Sequence, residues 1–208
     1  MFRDRGHAGE LLAALLERYR GQPGTVLLAL PRGGVPVAAS VANALALPLD
    51  VLLAHKIGAP GEPELAIGAV SVDGVVVLDQ KAIAAMGISE AALETAISHE
   101  QVELLRRERL YRGDRPRLAL SGQTVILIDD GLATGYTMLA AVRAVRRQQP
   151  ASIVVAVPVA LRETLDWLRA ETDETVCVDM PKRLEAVGQF YEDFSQISDE
   201  QVIEELSR

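Results

Sequence analysis

Hydrophobic positions along this chain change period several times, and each change marks an element. Leu11, Leu12, Leu15, Leu16 and Tyr19 recur at spacings of three and four, which predicts a helix over residues 9–20, stopped by Gly21 and Pro23-Gly24. A short apolar run at 25–30 lies between Gly24 and Pro31 and predicts a buried strand; 36–45 predicts a small-residue helix and 49–53 a second buried strand. Residues 58–64, Gly-Ala-Pro-Gly-Glu-Pro-Glu, read as a loop unable to continue either element. Apolar runs at 66–70 and 75–78 flank Asp73-Gly74, a hairpin signal. Ser89 caps a helix reaching about Arg112, whose stripe of Leu93, Ile97 and Leu104 is sparse and whose Glu103 and Arg107 pair one turn apart, as on a solvated face.

The second half alternates regularly. Residues 124–128 predict a strand of aliphatic residues ending in two carboxylates, followed by a helix at 136–148, a strand at 153–157, a helix at 162–170 and a strand at 175–178. Strands alternating with helices imply parallel pairing through right-handed crossovers, hence an α/β fold with a parallel central sheet flanked by helices, carrying the hairpin as an addition. No repeat or linker divides the chain, so residues 1–208 are expected to form one domain, with 82–118 as a mobile lid and 180–208 as a smaller hood region with a C-terminal helix.

Composition narrows the class. With 208 residues, 49% hydrophobic, the chain can bury a core without disulfides, and its one cysteine, Cys177, falls in an apolar run as an inert core thiol. The N-terminus Met1-Phe2-Arg3-Asp4-Arg5 is charged, and the most apolar stretch, 35–54, is broken by Pro36, Asn43, Pro48 and Asp50, so a cytoplasmic protein with no membrane partner is expected. A net charge of -8 argues against nucleic acid as a partner.

The candidate chemistry sits at strand ends. After 125–128 come Asp129-Asp130-Gly131-Leu132-Ala133-Thr134-Gly135-Tyr136-Thr137. Adjacent carboxylates repel, a cost that makes sense for a polyhydroxylated or cationic ligand. The small residues beyond them let backbone N–H groups converge on an anion at a helix N-terminus. Carboxylates for hydroxyls followed by a phosphate cradle describe a ribose 5-phosphate site. A second strand end carries Pro31-Arg32-Gly33-Gly34, where glycines admit close approach and Arg32 offers a fork to phosphate oxygens. His55-Lys56 follows the second strand; the spacing of His7, His55 and His99 supports no zinc site, and no protein-held metal is expected.

The stretch from Val125 to Thr137 resembles the signature of the type I phosphoribosyltransferases: four apolar residues, two acids, then a loop ending Thr-Gly-x-Thr. The resemblance implies that Asp129 and Asp130 hold the ribose hydroxyls of 5-phosphoribosyl-1-pyrophosphate (PRPP) and act in catalysis, and that Ala133, Thr134, Gly135, Tyr136 and Thr137 wrap the 5-phosphate. It further implies that Arg32, Gly33, Gly34 and Lys56 meet pyrophosphate, in a loop that often contains a non-proline cis peptide. Mg2+ held mainly through PRPP, a nitrogenous acceptor such as a nucleobase, nucleobase salvage and a homodimer are also implied. Phe190 and Tyr191 resemble the aromatic tail near the base pocket of purine-salvage members, although core packing is the favoured reading of both. Six arginines between 106 and 117 read either as lid residues for pyrophosphate or as a solvated helix face. Ala133 stands where hypoxanthine- and guanine-directed members usually carry an acid, which argues against a 6-oxopurine acceptor. The alternative is a non-catalytic regulator that keeps the PRPP fold for sensing.

Overall fold

The computed structural model describes residues 1–207. Its centre is a parallel sheet of β1 (Thr25–Ala29), β2 (Leu49–Val51), β6 (Thr124–Ile128), β7 (Ser152–Val159) and β8 (Glu174–Asp179), in the order β2-β1-β6-β7-β8. Along β6 every side chain after Thr124 is buried, because successive residues face opposite covered sides. Ile126 and Ile128 join Leu27, Val154 and Ala156 beneath α1 (Arg5–Leu15) and α2 (Gly34–Leu45). Val125 and Leu127 join Val26, Leu28, Ile153 and Val155 beneath α5 (Tyr136–Arg146) and α6 (Arg162–Leu168). Each such aliphatic side chain contributes roughly 1.5–3 kcal/mol by leaving water.

The chain leaves β1 through α2 towards β2 on one side and leaves β6 through α5 towards β7 on the other. The carboxyl ends of β1 and β6 therefore flank a switch point, where diverging connections open a crevice. A second, antiparallel sheet, β3 (Ala54–Ala59), β4 (Glu62–Ser71) and β5 (Val76–Leu78), packs with α5 and α4 (Glu90–Arg112), preceded by α3 (Gln80–Met86). The last helix, α7 (Asp199–Leu206), leans on α2 and α4.

Three expectations need correction. The first helix starts at Arg5 and not at residue 9, because the Asp4 side chain caps it by accepting the His7 N–H at 2.8 Å; it ends at Leu15, with a 3-10 turn Glu17–Tyr19 beyond. The loop expected at 58–64 is the tip of a long β3–β4 hairpin. Gly58 pairs with Ala66 and Ala59 with Glu62 across a bulge, and Gly61 takes the turn at φ +85°. β5 pairs only with Gly68, Ala69 and Val70, so Pro63 lies where β4 runs past it and its missing N–H breaks no bond with β5. The second buried strand is the short Leu49–Val51, after which the chain turns into β3 and the second sheet.

The Asp73-Gly74 hairpin and the solvated helix ending at Arg112 are as expected: only Leu104 and Tyr111 of α4 are buried. The arginines between 106 and 117 are largely tied down. Arg106 and Arg107 bind Glu103, Arg112 reaches Asp50 at 2.7 Å, Arg115 reaches the Leu206 carbonyl at 2.7 Å, and Arg117 pairs with Glu108 and Asp73. Among the described residues no helix is long and apolar enough to cross a membrane. Cys177 is half-buried, its thiol pushed up to about 11 by burial, as befits an unreactive packing residue.

Candidate active site

The crevice between β1 and β6 is closed on one side by backbone. Leu30 donates its N–H to the Ile128 carbonyl at 2.8 Å, which keeps the two chains in register past the strand ends. The β1–α2 turn then crosses directly over the acids: a Cβ on Gly33 would stand 1.9 Å from Asp130 Oδ2, and one on Gly34 2.8 Å from the Ile128 carbonyl oxygen. Glycine is required at both positions by this approach. The Pro31–Arg32 peptide is cis.

Asp129 and Asp130 sit at the buried end of β6. The Asp129 carboxylate accepts the Asp130 N–H at 2.8 Å. Burial, followed by the neighbouring Asp130 charge, holds the Asp129 carboxyl well above the ordinary carboxylate range, and the N–H bond and Arg5 only partly oppose this. Burial also raises Asp130, with Arg5 pulling in the other direction. The pair is thus short of positive charge, a condition that a cation or a set of hydroxyl donors relieves.

The loop that follows is set by packing on α6. Thr164 donates its hydroxyl to the Ala133 carbonyl at 3.2 Å, and Leu132 donates its N–H to Val159 at 2.9 Å. Gly135 has φ +80° and lies against Thr164 and Trp167, where an added Cβ would be 2.8 Å from the Thr164 methyl. It is the N-cap of α5, and no side chain caps that helix. The first-turn N–H groups of an α-helix lack intrahelical partners, so α5 offers them, with its dipole, to whatever anion enters over exposed Ala133 and Thr134 and half-buried Thr137. Tyr136 contributes only its backbone there: its hydroxyl donates to Asp79 at 2.7 Å and is pushed up to about 12 by burial, and its ring meets Trp167 edge-on at 5.4 Å.

The remaining candidates divide. Arg32 points towards α7, 3.8 Å from Asp199, which accepts the Tyr111 hydroxyl at 2.5 Å. Lys56 pairs with Glu64 at 2.9 Å across the hairpin and lines a cavity of about 500 Å3 against α4 with His55, His99 and Glu100. Tyr191 is buried between Phe2 and Phe194, with ring centroids 5.2 and 5.0 Å away, and donates its hydroxyl to the Asp130 carbonyl at 2.7 Å. Half-buried Phe190 packs beside it. These two aromatics are engaged in packing that fastens the segment after β8 to the acid loop, which leaves Tyr191 without a ring face for a base.

Sequence reasoning missed Arg5. Its Nε lies 2.8 Å from Asp130 Oδ2, its Nη1 donates to the Ser195 carbonyl at 2.8 Å, and its guanidinium lies 3.9 Å from the centroid of the Phe194 ring. No local signal marks it, because the contact spans 125 positions of sequence.

The phosphoribosyl transferase domain family matches residues 6–193. A Mycobacterium tuberculosis protein provisionally named phosphoribosyl transferase Rv0571c is 41% identical over all 208 residues, and the chain spans 47% of that relative's length. Among solved structures, TT1426 from Thermus thermophilus is 44% identical with a TM-score of 0.80, covering 99% of this chain and 97% of that one. The purine phosphoribosyltransferase of Pyrococcus horikoshii shares the fold at 16% identity, with a TM-score of 0.50 over 92% of this chain and 93% of that one. The crevice between β1 and β6, the acid pair and the uncapped helix beyond it therefore have a family context, and the chain belongs to the type I phosphoribosyltransferases.

Proposed function

We propose that this phosphoribosyltransferase moves the ribose 5-phosphate of PRPP to a nitrogenous acceptor of the nucleobase class and releases pyrophosphate. The observation that carries the reading is the acid pair: two half-buried carboxylates short of positive charge, placed one short loop ahead of a helix N-terminus that no side chain caps. A sugar diol satisfies the first, and a 5-phosphate satisfies the second.

In this reading Asp129 and Asp130 hold the ribose hydroxyls, and the backbone from Ala133 to Thr137 cradles the 5-phosphate. Gly33 and Gly34 admit the diphosphate close to the β1–α2 turn, with Arg32 turning from Asp199 towards it. Lys56 serves from the hairpin. The acceptor nitrogen attacks C1 as the C1–O bond to pyrophosphate breaks; the bonding pair leaves with pyrophosphate, and the acceptor's proton passes to solvent. As C1 gains positive character, the two carboxylates stabilise it electrostatically. No protein nucleophile is used.

Mg2+ would be held chiefly by PRPP. Bound there, it would supply charge neutralisation for the departing pyrophosphate. The wider setting proposed is nucleobase salvage in the cytoplasm by paired identical chains.

The test is pyrophosphate release from PRPP and Mg2+ across a panel of nucleobases. Base-dependent release that Asp130→Asn lowers by about a hundredfold or more supports transfer. Tight PRPP binding with no release for any acceptor moves the reading to a sensor, and no PRPP binding at all removes it.

A further inference from the structure

Arg5 is a buried charge, 8% exposed, in the first turn of α1. Removing a guanidinium from water is costly, and buried ion pairs are weak sources of net stability. Arg5 nevertheless goes to one specific place, an oxygen of the acid that the proposed function assigns to the ribose. Its fork spans two targets at once, with Nε on Asp130 Oδ2 and Nη1 on the Ser195 carbonyl, and its plane lies on Phe194. That combination needs a planar guanidinium, which a lysine ammonium cannot imitate.

The backbone around Arg5 is equally committed. Phe2 donates its N–H to the Phe190 carbonyl at 2.7 Å and accepts from Glu192 at 2.8 Å, and the Asp193 N–H reaches the Arg3 carbonyl at 2.9 Å. The N-terminal residues thus form a short parallel bridge with the segment after β8, and Arg5 extends from that bridge to the acid pair. Gly33 packs against the same Asp130 oxygen. Oδ2 is therefore taken up by a guanidinium and a close glycine backbone, and Oδ1 is the oxygen left for a ligand.

Resting on the proposed function, we infer that Arg5 is a positioning residue of the sugar site: it orients the Asp130 carboxylate so that Oδ1 meets a ribose hydroxyl, which makes residues 2–5 a working part of that site. The titratable and charged groups around Asp130 are Arg5 from α1, Asp129 from β6 and Tyr191 from the segment after β8, with Asp193 acting on Arg5. Arg5 is the only cation in that set.

Calorimetry on the full chain with ribose 5-phosphate, 2-deoxyribose 5-phosphate and inorganic phosphate separates positioning from bracing. In Arg5→Met the preference for ribose over 2-deoxyribose 5-phosphate should fall by about tenfold, while inorganic phosphate binding stays as in the wild type. Loss of the cation leaves burial at Asp130 opposed only by a backbone N–H, so the acid limb of ribose 5-phosphate binding should also move to higher pH. Arg5→Lys keeps the charge and serves if Arg5→Met does not fold; it should lose part of the preference with a smaller shift of the limb. An unchanged sugar preference in either folded variant overturns the inference, as does equal weakening of all three ligands, which marks a brace alone. Wild-type protein that binds phosphate but shows no sugar preference counts against the proposed function itself, and the inference falls with it.

Discussion

The two charged regions of the molecule are built on opposite plans. At the end of β6, Asp129 and Asp130 lie side by side, half-buried, with one guanidinium paired to Asp130. Along the hairpin and the outer face of α4, exposed charges are matched: Lys56 with Glu64, and Arg106 and Arg107 with Glu103. Exposed pairs of the second kind bring only small net stabilisation and are screened by salt. An under-neutralised pair of the first kind weakens the free protein and is tolerable where a ligand completes it. The contrast separates a region organised for binding from one organised for solubility and attachment.

Substitution at Gly33 should show the contrast most strongly. Gly33→Ala places a methyl group into Asp130 Oδ2 and must displace the carboxylate, so PRPP affinity should fall by about tenfold to a hundredfold by calorimetry. Unaltered affinity would mean that Asp130 takes no part in binding. Gly135→Ala comes next. Its Cβ meets the Thr164 methyl, and its φ of +80° disfavours alanine, so inorganic phosphate should bind about tenfold more weakly while thermal stability falls slightly. A variant that binds phosphate normally would remove the cradle.

The acid pair also predicts a stability effect of opposite sign to its functional one. A carboxyl whose folded value is raised costs stability that builds up as pH rises above its ordinary value and is complete above the folded value, and the penalty vanishes below the ordinary carboxylate range. Asp129→Asn keeps an acceptor for the Asp130 N–H and should therefore raise the melting temperature at pH 7 by on the order of 2 to 4 °C, with the gain shrinking as pH falls towards 4. A lower melting temperature at pH 7 would show that the pair is adequately neutralised without ligand.

The hairpin should respond least. Lys56→Gln exchanges one exposed pairing and should change pyrophosphate affinity by less than about fivefold, with the residual effect lost in high salt. A larger, salt-resistant loss would make the hairpin a full partner of the crevice. Trp167, the single tryptophan, lies against Gly135, so saturable emission changes on adding phosphate report the loop directly.

Local chemistry made part of the site legible. The aliphatic run of β6, its two acids and the Thr-Gly-x-Thr loop are contiguous, and short-range physics dictates strand, turn and helix N-terminus there. Pro31 to Gly34 was legible for the same reason. The hairpin at 54–71 was not, because Gly58, Pro60, Gly61 and Pro63 carry loop propensities that pairing with a partner strand overrides through a bulge and a tight turn. Phe190 and Tyr191 stood between two meanings, and the packing of Tyr191 against Phe2 and Phe194 gave that residue one.

Periodicity and motif by themselves determined the alternation of strands and helices, the parallel sheet and the identity of the acids, since each depends on residues within about one turn or strand of one another. Only the tertiary structure decided what surrounds those acids. Arg5 meets Asp130 across 125 positions, and Gly33 needs its missing Cβ because β1 and β6 are neighbours at the switch point. Contacts of that kind are products of chain topology, and no local window of residues contains them.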